Sequence, residues 1–295
     1  LLGLPVVADH DGQVRVHAVL GHPLQAVLHV LQLVALVQAL QGLLVRCLIP
    51  EQDKAEVRLT HQADGVLVKV LKAGVDAEVA AAVEEVKMRG KRIIVHARSK
   101  ASIQQALRHG IELIYHASFT DTETLDMMEA AKDRIFVVPG IGILYALLNE
   151  SEQWGVTREI ATGWGYQLEW DAALESLSKM HKRGIRVLPG GDYGFAFTPH
   201  CQNARDLEFF VKYLGFTPME AIRSTTLYGG QIMLRGHELG AIKEGWLADL
   251  LLVDGDPLAN LSILRDPKRI LAVMKDGVFA KAPTIASQRA WGQAA

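Results

Sequence analysis

The sequence predicts an α/β fold, a (β/α)8-type (TIM-like) barrel, because short apolar runs typical of buried parallel strands alternate with helical patterns. Three of these runs end in a residue that can bind a metal ion or carry a proton. They are residues 92–96, 112–116 and 186–192, which end in His96, His116 and Asp192. In barrels of this kind the chemistry lies at the carboxyl ends of the strands. One histidine after a strand is usually structural, whereas three polar strand ends in series favour a functional site.

The elements follow one another regularly from Asp64 onward. Glycines after the helical patterns and a Thr-Pro-Met-Glu capping box at Thr217 mark helix ends and starts. The stretch 139–168 has weak periodicity, so we expect a long connection there, and long loops in compact domains often serve as lids or substrate walls. The predicted strands are 65–70, 92–96, 112–115, 134–138 and 185–189, and the predicted helices are 76–89, 99–107, 121–131, 170–183 and 203–214.

Both ends of the chain differ from this pattern. Residues 240–281 contain strand patterns and an Asp276-Gly277 hairpin signal, which predict a small β element before a tail, 282–295. Residues 1–60 show no series of strands and turns, and no Asp or Glu occurs from residue 12 to 50. We interpret them either as a buried helical segment or as a non-native sequence, such as an out-of-frame translation. The barrel, 61–239, is therefore expected to be incomplete at its amino-terminal end.

The composition excludes several functional classes. The 295 residues are 49% hydrophobic and 22% charged, and the net charge of -2 indicates neither nucleic acid nor a membrane surface as a partner. Polar residues interrupt the apolar stretch 24–49, so we predict no membrane span there. Cys47 and Cys201 form no disulfide framework, and without an evident secretory signal we expect a cytoplasmic protein.

A series of motifs runs through the second part of the chain: Val95-His96-Ala97, Ile114-Tyr115-His116-Ala117, Gly190-Gly191-Asp192, Pro199-His200, 217–222 and the closing stretch 240–254. In this combination and order, residues 64–281 resemble the metal-dependent amidohydrolases, and most of all their imidazolonepropionase and prolidase-like branch. The resemblance implies a barrel enzyme whose strand ends hold one or two divalent metal ions, with Zn as the expected metal and Mn or Co tolerated.

The resemblance also implies a role for each ligand. Lys69 matches a carboxylated lysine that bridges two metals, with Lys72 as the alternative if the strand ends later. His96 and His116 match two further ligands. Asp192 matches the aspartate that binds one metal, takes the proton of the attacking water and delivers it to the leaving amine.

Four more residues are candidates for substrate binding, although a structural role remains open for each. Arg98 lies two residues after His96, and its positively charged guanidinium could pair with a substrate carboxylate. The other three are Tyr145, Tyr193 and His200.

The chain departs from the family pattern in one respect, because it contains no His-x-His, the pair expected at the end of strand one. Two functions therefore remain. One is hydrolysis of an amide-type C–N bond in a small molecule, such as an Xaa-Pro dipeptide, an N-acyl amino acid or a cyclic amide. The alternative is a truncated or catalytically impaired barrel without turnover, whose open sheet edge would favour a homo-oligomer.

Overall fold

The computed structural model describes residues 76–283 with their side chains, and the backbone of four strands before residue 71. Strands β1 (Val7–Ala8) and β2 (Val14–Arg15) form an antiparallel pair within a unit of residues 1–54. All other elements belong to a second unit, residues 55–295. The helical segment expected within 24–45, the alternative ligand Lys72 and the tail beyond residue 283 lie outside the described residues.

A five-stranded sheet forms the centre of the second unit, in the order β3-β4-β5-β6-β7. β3 runs antiparallel to β4 and was not predicted from the sequence, whereas the remaining neighbours are parallel, as the sequence predicts. Val187 extends the sheet by a single parallel bridge to Val137, where a strand over 185–189 was expected. The strands are β3 (Val57–Gln62), β4 (Gly65–Val70), β5 (Ile94–Ala97), β6 (Leu113–His116) and β7 (Phe136–Val138).

Eight α-helices are found among the described residues, and the helices predicted from the sequence are confirmed within a few residues of their ends. The capping box at Thr217 is present, since the Thr217 side chain accepts from the Glu220 N–H and Glu220 bonds back to the Thr217 N–H. The helices are α1 (Asp76–Met88), α2 (Lys100–Arg108), α3 (Thr122–Ala130), α4 (Ile141–Asn149), α5 (Arg158–Gly163), α6 (Tyr166–Lys182), α7 (Arg205–Leu214) and α8 (Pro218–Ile232).

The expectation of an irregular connection over 139–168 was wrong, because α4, α5 and the start of α6 occupy this stretch. Helix α4 escapes a search for periodicity since it is apolar on all sides. Seven of its nine residues are buried, and a helix that is buried all round shows no alternation of polar and apolar faces.

The two faces of the sheet pack differently, because successive side chains of a strand point to opposite sides. Val95, Ile114, Val137 and Val187 face the large core that they share with the helices. On the other face a smaller cluster of Leu113, Phe136 and Leu188 packs against Ile94, Val138 and two residues of α8, Tyr228 and Ile232. The described strands thus form an open sheet, and they show no closed barrel.

A separate antiparallel sheet follows, in the order β10-β9-β8, which confirms the predicted carboxyl-terminal β element. Asp276 and Gly277 connect its last two strands with φ angles of 49° and 77°, as a type I′ hairpin turn requires. None of the helices in the described part of the chain is long and apolar enough to cross a membrane. The strands are β8 (Leu250–Val253), β9 (Ile270–Lys275) and β10 (Val278–Lys281).

Candidate active site

Two imidazole rings meet where β5 and β6 end. The Nε2 atom of His116 lies 2.9 Å from the Nδ1 atom of His96, and the ring centroids are 4.1 Å apart in an edge-to-face arrangement. The parallel register pairs His96 with Tyr115 and Ala97 with His116, so both histidines reach the same end of the sheet. The predicted convergence of these two residues at the carboxyl ends of parallel strands is thus seen in the structure.

The backbone at the end of β6 adopts an unusual conformation that directs the His116 ring. His116 and Ala117 have φ angles of 71° and 52°, in the left-handed region that residues with a Cβ rarely adopt. Such strain costs on the order of 1–3 kcal/mol per residue and is found most often at functional sites. The Ala117 N–H donates to the Ala97 carbonyl over 2.9 Å, which holds the turn to the end of β5.

Gly140 brings the third predicted residue, Asp192, to the same place. A Cβ atom on Gly140 would lie 2.6 Å from Nδ1 of His116 and 3.7 Å from Cβ of Asp192, so both side chains pack against this one glycine. Burial raises the pKa of the Tyr115 phenol, and the negative charge of Asp192 raises it further. Asp192 is therefore close enough to β6 for its charge to act on the strand that carries His116.

Arg98 determines which nitrogen of His96 carries a proton. Its Nε–H donates to Nε2 of His96 over 3.2 Å, and a guanidinium has no acceptor to offer in return. A neutral His96 ring therefore carries its proton on Nδ1 and donates it to Nε2 of His116. This assignment follows from the hydrogen-bond network, in which His96 is the central member.

A buried carboxylate on α6 holds Arg98 in this position. Nη1 of Arg98 lies 2.5 Å from Oε2 of Glu169, and the hydroxyl of Ser118 donates to Oε1 of Glu169 over 2.7 Å. The Glu169 side chain is 9% exposed, and a buried carboxylate requires such partners to offset its lost hydration. The chain Ser118–Glu169–Arg98 thus reaches the far side of the His96 ring.

The donor set fits a divalent cation in part. Two nitrogen ligands of a tetrahedral zinc ion, each about 2.0–2.1 Å from the metal, lie about 3.3 Å apart. The facing nitrogens of His96 and His116 are 2.9 Å apart. The two rings would therefore have to move apart by a few tenths of an ångström to admit a cation between them. Within residues 76–283, however, no group of three His, Cys, Asp or Glu side chains is arranged to hold a metal ion.

The other predicted ligand lies on a strand whose side chains are not described. Lys69 stands in β4 at the level of Ile94 in β5, two residues before His96 along the neighbouring strand. The strand assignment of Lys69 agrees with the sequence, and its role as a ligand stays a prediction.

The three remaining candidates for substrate binding make their described contacts with residues other than the histidine pair. The Tyr193 hydroxyl donates to Oδ1 of Asp206 over 2.7 Å. Tyr145 lies in α4, and its ring is 4.8 Å from Phe209 and 5.9 Å from Trp170. His200 is exposed and lies beside Gly194. Their roles in binding stay predictions.

Several residues of this region carried no sequence signal that pointed to the site. In the sequence, Tyr115 resembles any residue of a strand and Gly140 any residue of a loop. Glu169 resembles an ordinary polar residue of a helix. Asp206 is fully buried, although its place in the first turn of α7 is typical of an exposed helix-start acid. These roles depend on contacts between residues more than 12 positions apart, which no local pattern records.

The chain is similar in sequence to known amidohydrolases. The model of the amidohydrolase family matches residues 171–280. Ochratoxinase from Aspergillus niger is 26% identical over 263 residues, which cover 82% of this chain and 51% of that protein. The chain thus spans about half the length of the curated relatives it matches.

The chain is also similar to solved structures of such proteins. A Xaa-Pro dipeptidase with methionine bound in its active site aligns with a TM-score of 0.63 at 26% identity, over 75% of this chain and 55% of that one. A second amidohydrolase aligns with the same TM-score and coverage at 27% identity. The structure of A. niger ochratoxinase, at 24% identity and a TM-score of 0.63 over 74% of this chain and 51% of that one, is similar in fold.

Proposed function

We propose that this chain is a metal-dependent hydrolase of the amidohydrolase superfamily, which cleaves an amide-type C–N bond in a small substrate, and the similarity to amidohydrolases supports this. The observation that carries this proposal is the contact between His96 and His116 at the ends of parallel strands, with Gly140 packed against both His116 and Asp192. The relatives include an ochratoxinase and a Xaa-Pro dipeptidase. We therefore propose an Xaa-Pro dipeptide, an N-acyl amino acid or a cyclic amide as the substrate.

The proposed roles follow from the chemistry of each side chain. Nε2 of His116 and Nδ1 of His96 would hold a divalent cation once the His96 proton has moved to Nε2 and Arg98 has released that atom, with Zn2+ preferred, Mn2+ or Co2+ tolerated and carboxylated Lys69 as a further ligand. When bound, such a cation supplies an activated water and polarises the scissile carbonyl. Asp192 accepts the proton of that water and delivers it to the leaving amine, since its carboxylate can serve as base and then as acid.

Arg98 has two roles open to it in this proposal. Its contacts with His96 and Glu169 support a positioning role, in which it orients the His96 ring. Its side chain is also 30% exposed, which leaves room for a substrate carboxylate to approach from the open side. We keep Tyr193, Tyr145 and His200 as residues that shape the surrounding pocket.

The wider setting is also part of the proposal. We propose that the open sheet is a portion of a (β/α)8 barrel, as the fold of the structural relatives supports. The hydrolase would act in the cytoplasm on a small molecule, and pairing of open strand edges would favour a homo-oligomer.

One observation favours a second function, a barrel that binds without turnover. The chain has no His-x-His, and the described side chains offer no third ligand beside the histidine pair in a suitable arrangement. A cation held by two imidazoles alone is bound weakly, because structural and catalytic zinc sites use at least three protein ligands.

Metal analysis combined with a hydrolysis assay tests both functions. The full chain is dialysed, its metal content is measured, and turnover of dipeptides, N-acyl amino acids and cyclic amides is followed with added Zn2+. We expect hydrolysis by the natural chain and a loss of about 100-fold or more in Asp192→Asn, since the amide cannot accept a proton. Asp133→Asn is the matched control, because Asp133 is exposed in the loop before β7, away from the strand ends.

The outcomes separate the two functions. Turnover that needs added metal and is lost only in Asp192→Asn supports the hydrolase. Metal binding without turnover of any substrate class supports the impaired barrel, and near-normal turnover by Asp192→Asn removes this residue from the mechanism.

A further inference from the structure

A fully buried carboxylate lies behind the turn that presents Asp192. Asp206, in the first turn of α7, has no exposed surface. Its Oδ1 accepts the hydroxyl of Tyr193 over 2.7 Å, and the nearby backbone N–H of Gly190 lowers the pKa of the carboxyl. A Cβ atom on Gly191 would lie 2.9 Å from this same Oδ1, so the glycine allows the carboxylate to touch the turn. Asp206 thus contacts the residues on both sides of the Gly191–Asp192 segment.

The Gly191–Asp192 segment needs support from surrounding residues. Asp192 has a φ of 59°, a left-handed conformation that costs free energy and persists where surrounding contacts enforce it. The Ile143 N–H donates to the Gly191 carbonyl over 2.8 Å, and the Thr198 hydroxyl donates to the Asp192 carbonyl over 3.3 Å. Asp206 adds a buried carboxylate that acts on residues 190 and 193 together.

The surroundings of Asp206 indicate that fold stability alone does not explain its charge. Its second oxygen, Oδ2, has no hydrogen-bond partner among the described residues. Arg205 is the adjacent residue, but its Nη1 binds the carboxylate of Glu150 at 2.7 Å and 3.0 Å. An incompletely paired buried charge destabilises a protein, and a neutral residue of similar shape would remove this cost.

We propose that Asp206 is a positioning residue, which sets the direction of the Asp192 carboxylate by holding Gly190 and Tyr193 on either side of it. This inference rests on the proposed role of Asp192 in hydrolysis. It assigns to Asp206 and Tyr193 one shared task, so removing either anchor has the same kind of effect. Tyr193 then belongs to the support of the turn.

The test compares three variants of the full chain with the natural sequence. Asp206→Asn removes the charge, Tyr193→Phe removes one anchor and keeps the carboxylate, and Thr217→Ala weakens the cap of α8, away from the turn. Hydrogen exchange over residues 189–198 reports the opening of the turn without any need for turnover. The kinetic constants kcat and KM are then measured in added Zn2+ on the best substrate of the panel.

We expect exchange over 189–198 to become about fivefold faster in Asp206→Asn and in Tyr193→Phe, in line with the loss of one hydrogen bond of about 1 kcal/mol. We expect kcat to fall about tenfold or more with KM within about twofold, because a misdirected carboxylate lowers reactivity more than binding. Thr217→Ala should change neither quantity.

Each contrary result has a distinct meaning. Unchanged exchange in both variants overturns the positioning role, whether or not the chain turns over any substrate. Faster exchange with unchanged kcat in an active chain also overturns it, because the direction of Asp192 would then not matter. Absence of turnover in the natural chain counts against the proposed hydrolase, and the exchange measurement still decides whether Asp206 holds the turn. If Asp206→Asn fails to fold, Tyr193→Phe supplies the same comparison.

Discussion

His96 and His116 face each other through Nδ1 and Nε2 at 2.9 Å, across two neighbouring parallel strands. His96 lies on a strand in regular extended geometry, whereas His116 is turned by a left-handed backbone at the very end of its strand. The pair therefore depends on both the strand register and the strained turn. A change to either should separate the two nitrogens.

Removing either ring should abolish tight metal binding. We expect His96→Ala and His116→Ala to weaken Zn2+ binding at least about 100-fold. Loss of a residue that only supports a metal ligand already lowers metal affinity by about 10–100-fold, and loss of the ligand itself should lower it at least as much. Competition with a chromophoric chelator measures the affinity. His237→Ala is the control, because the His237 side chain is 75% exposed. Unchanged affinity in both variants would place the cation elsewhere.

Gly140→Ala should damage the site by steric contact. The new Cβ atom would lie 2.6 Å from Nδ1 and 2.8 Å from Cε1 of His116, so the ring must move. We expect the free energy of unfolding to fall by about 1–3 kcal/mol and Zn2+ affinity to fall with it. Denaturant unfolding and the chelator assay measure the two effects.

Gly229→Ala supplies the matched comparison for this substitution. Gly229 lies in α8, and a Cβ atom there would meet nothing within 4 Å. Alanine is the better helix former, so this variant should be more stable by about 0.5–1 kcal/mol with unchanged metal affinity. Equal behaviour of the two variants would show that the contact with His116 is unimportant.

The sequence predicts the parallel strands β4 to β7, most helices and the positions of the strand-end residues, because these follow from periodicity and from short-range end signals. It does not predict α4, since a helix buried on all sides has no polar face. It also does not predict the contacts of Gly140, Glu169 or Asp206. These arise when strand ends and helix starts converge in space, and nothing in the local sequence distinguishes such residues from ordinary ones.

Glu169→Gln should release Arg98 from its present position. The variant keeps the size of the side chain but replaces a charged acceptor of two hydrogen bonds, from Arg98 and Ser118, by a neutral amide. We expect the free energy of unfolding to fall by about 1–3 kcal/mol. Because Arg98 also donates to His96, the chemical shifts of the His96 ring nitrogens should change as well.

A carboxylate on the same helix serves as the control for Glu169. Glu175 in α6 is exposed and pairs with Lys179 one turn away. Exposed pairs of this kind contribute little to stability, so Glu175→Gln should leave unfolding and the His96 signals unchanged. An equally small effect of Glu169→Gln would mean that the buried pair does not orient His96.

Asp206 should make the stability of the fold depend on pH. Burial raises the pKa of Asp206 from 3.8 to about 6, against the opposing effects of the Tyr193 hydroxyl, the charge of Arg205 and the Gly190 N–H. Between these two values the folded chain binds more protons than the unfolded chain, so the free energy of unfolding contributed by this group falls as pH rises. The contribution is present below about pH 4 and is lost above about pH 6, and its size is about 3 kcal/mol.

Asp206→Asn lacks this proton, so its stability relative to the natural chain should rise from pH 4.5 to pH 7.5. Denaturant unfolding at both values measures the difference, and Tyr193→Phe, which removes a bond to the ionised form, should move the window to higher pH. A difference between Asp206→Asn and the natural chain that stays constant over this range would show that Asp206 does not titrate there.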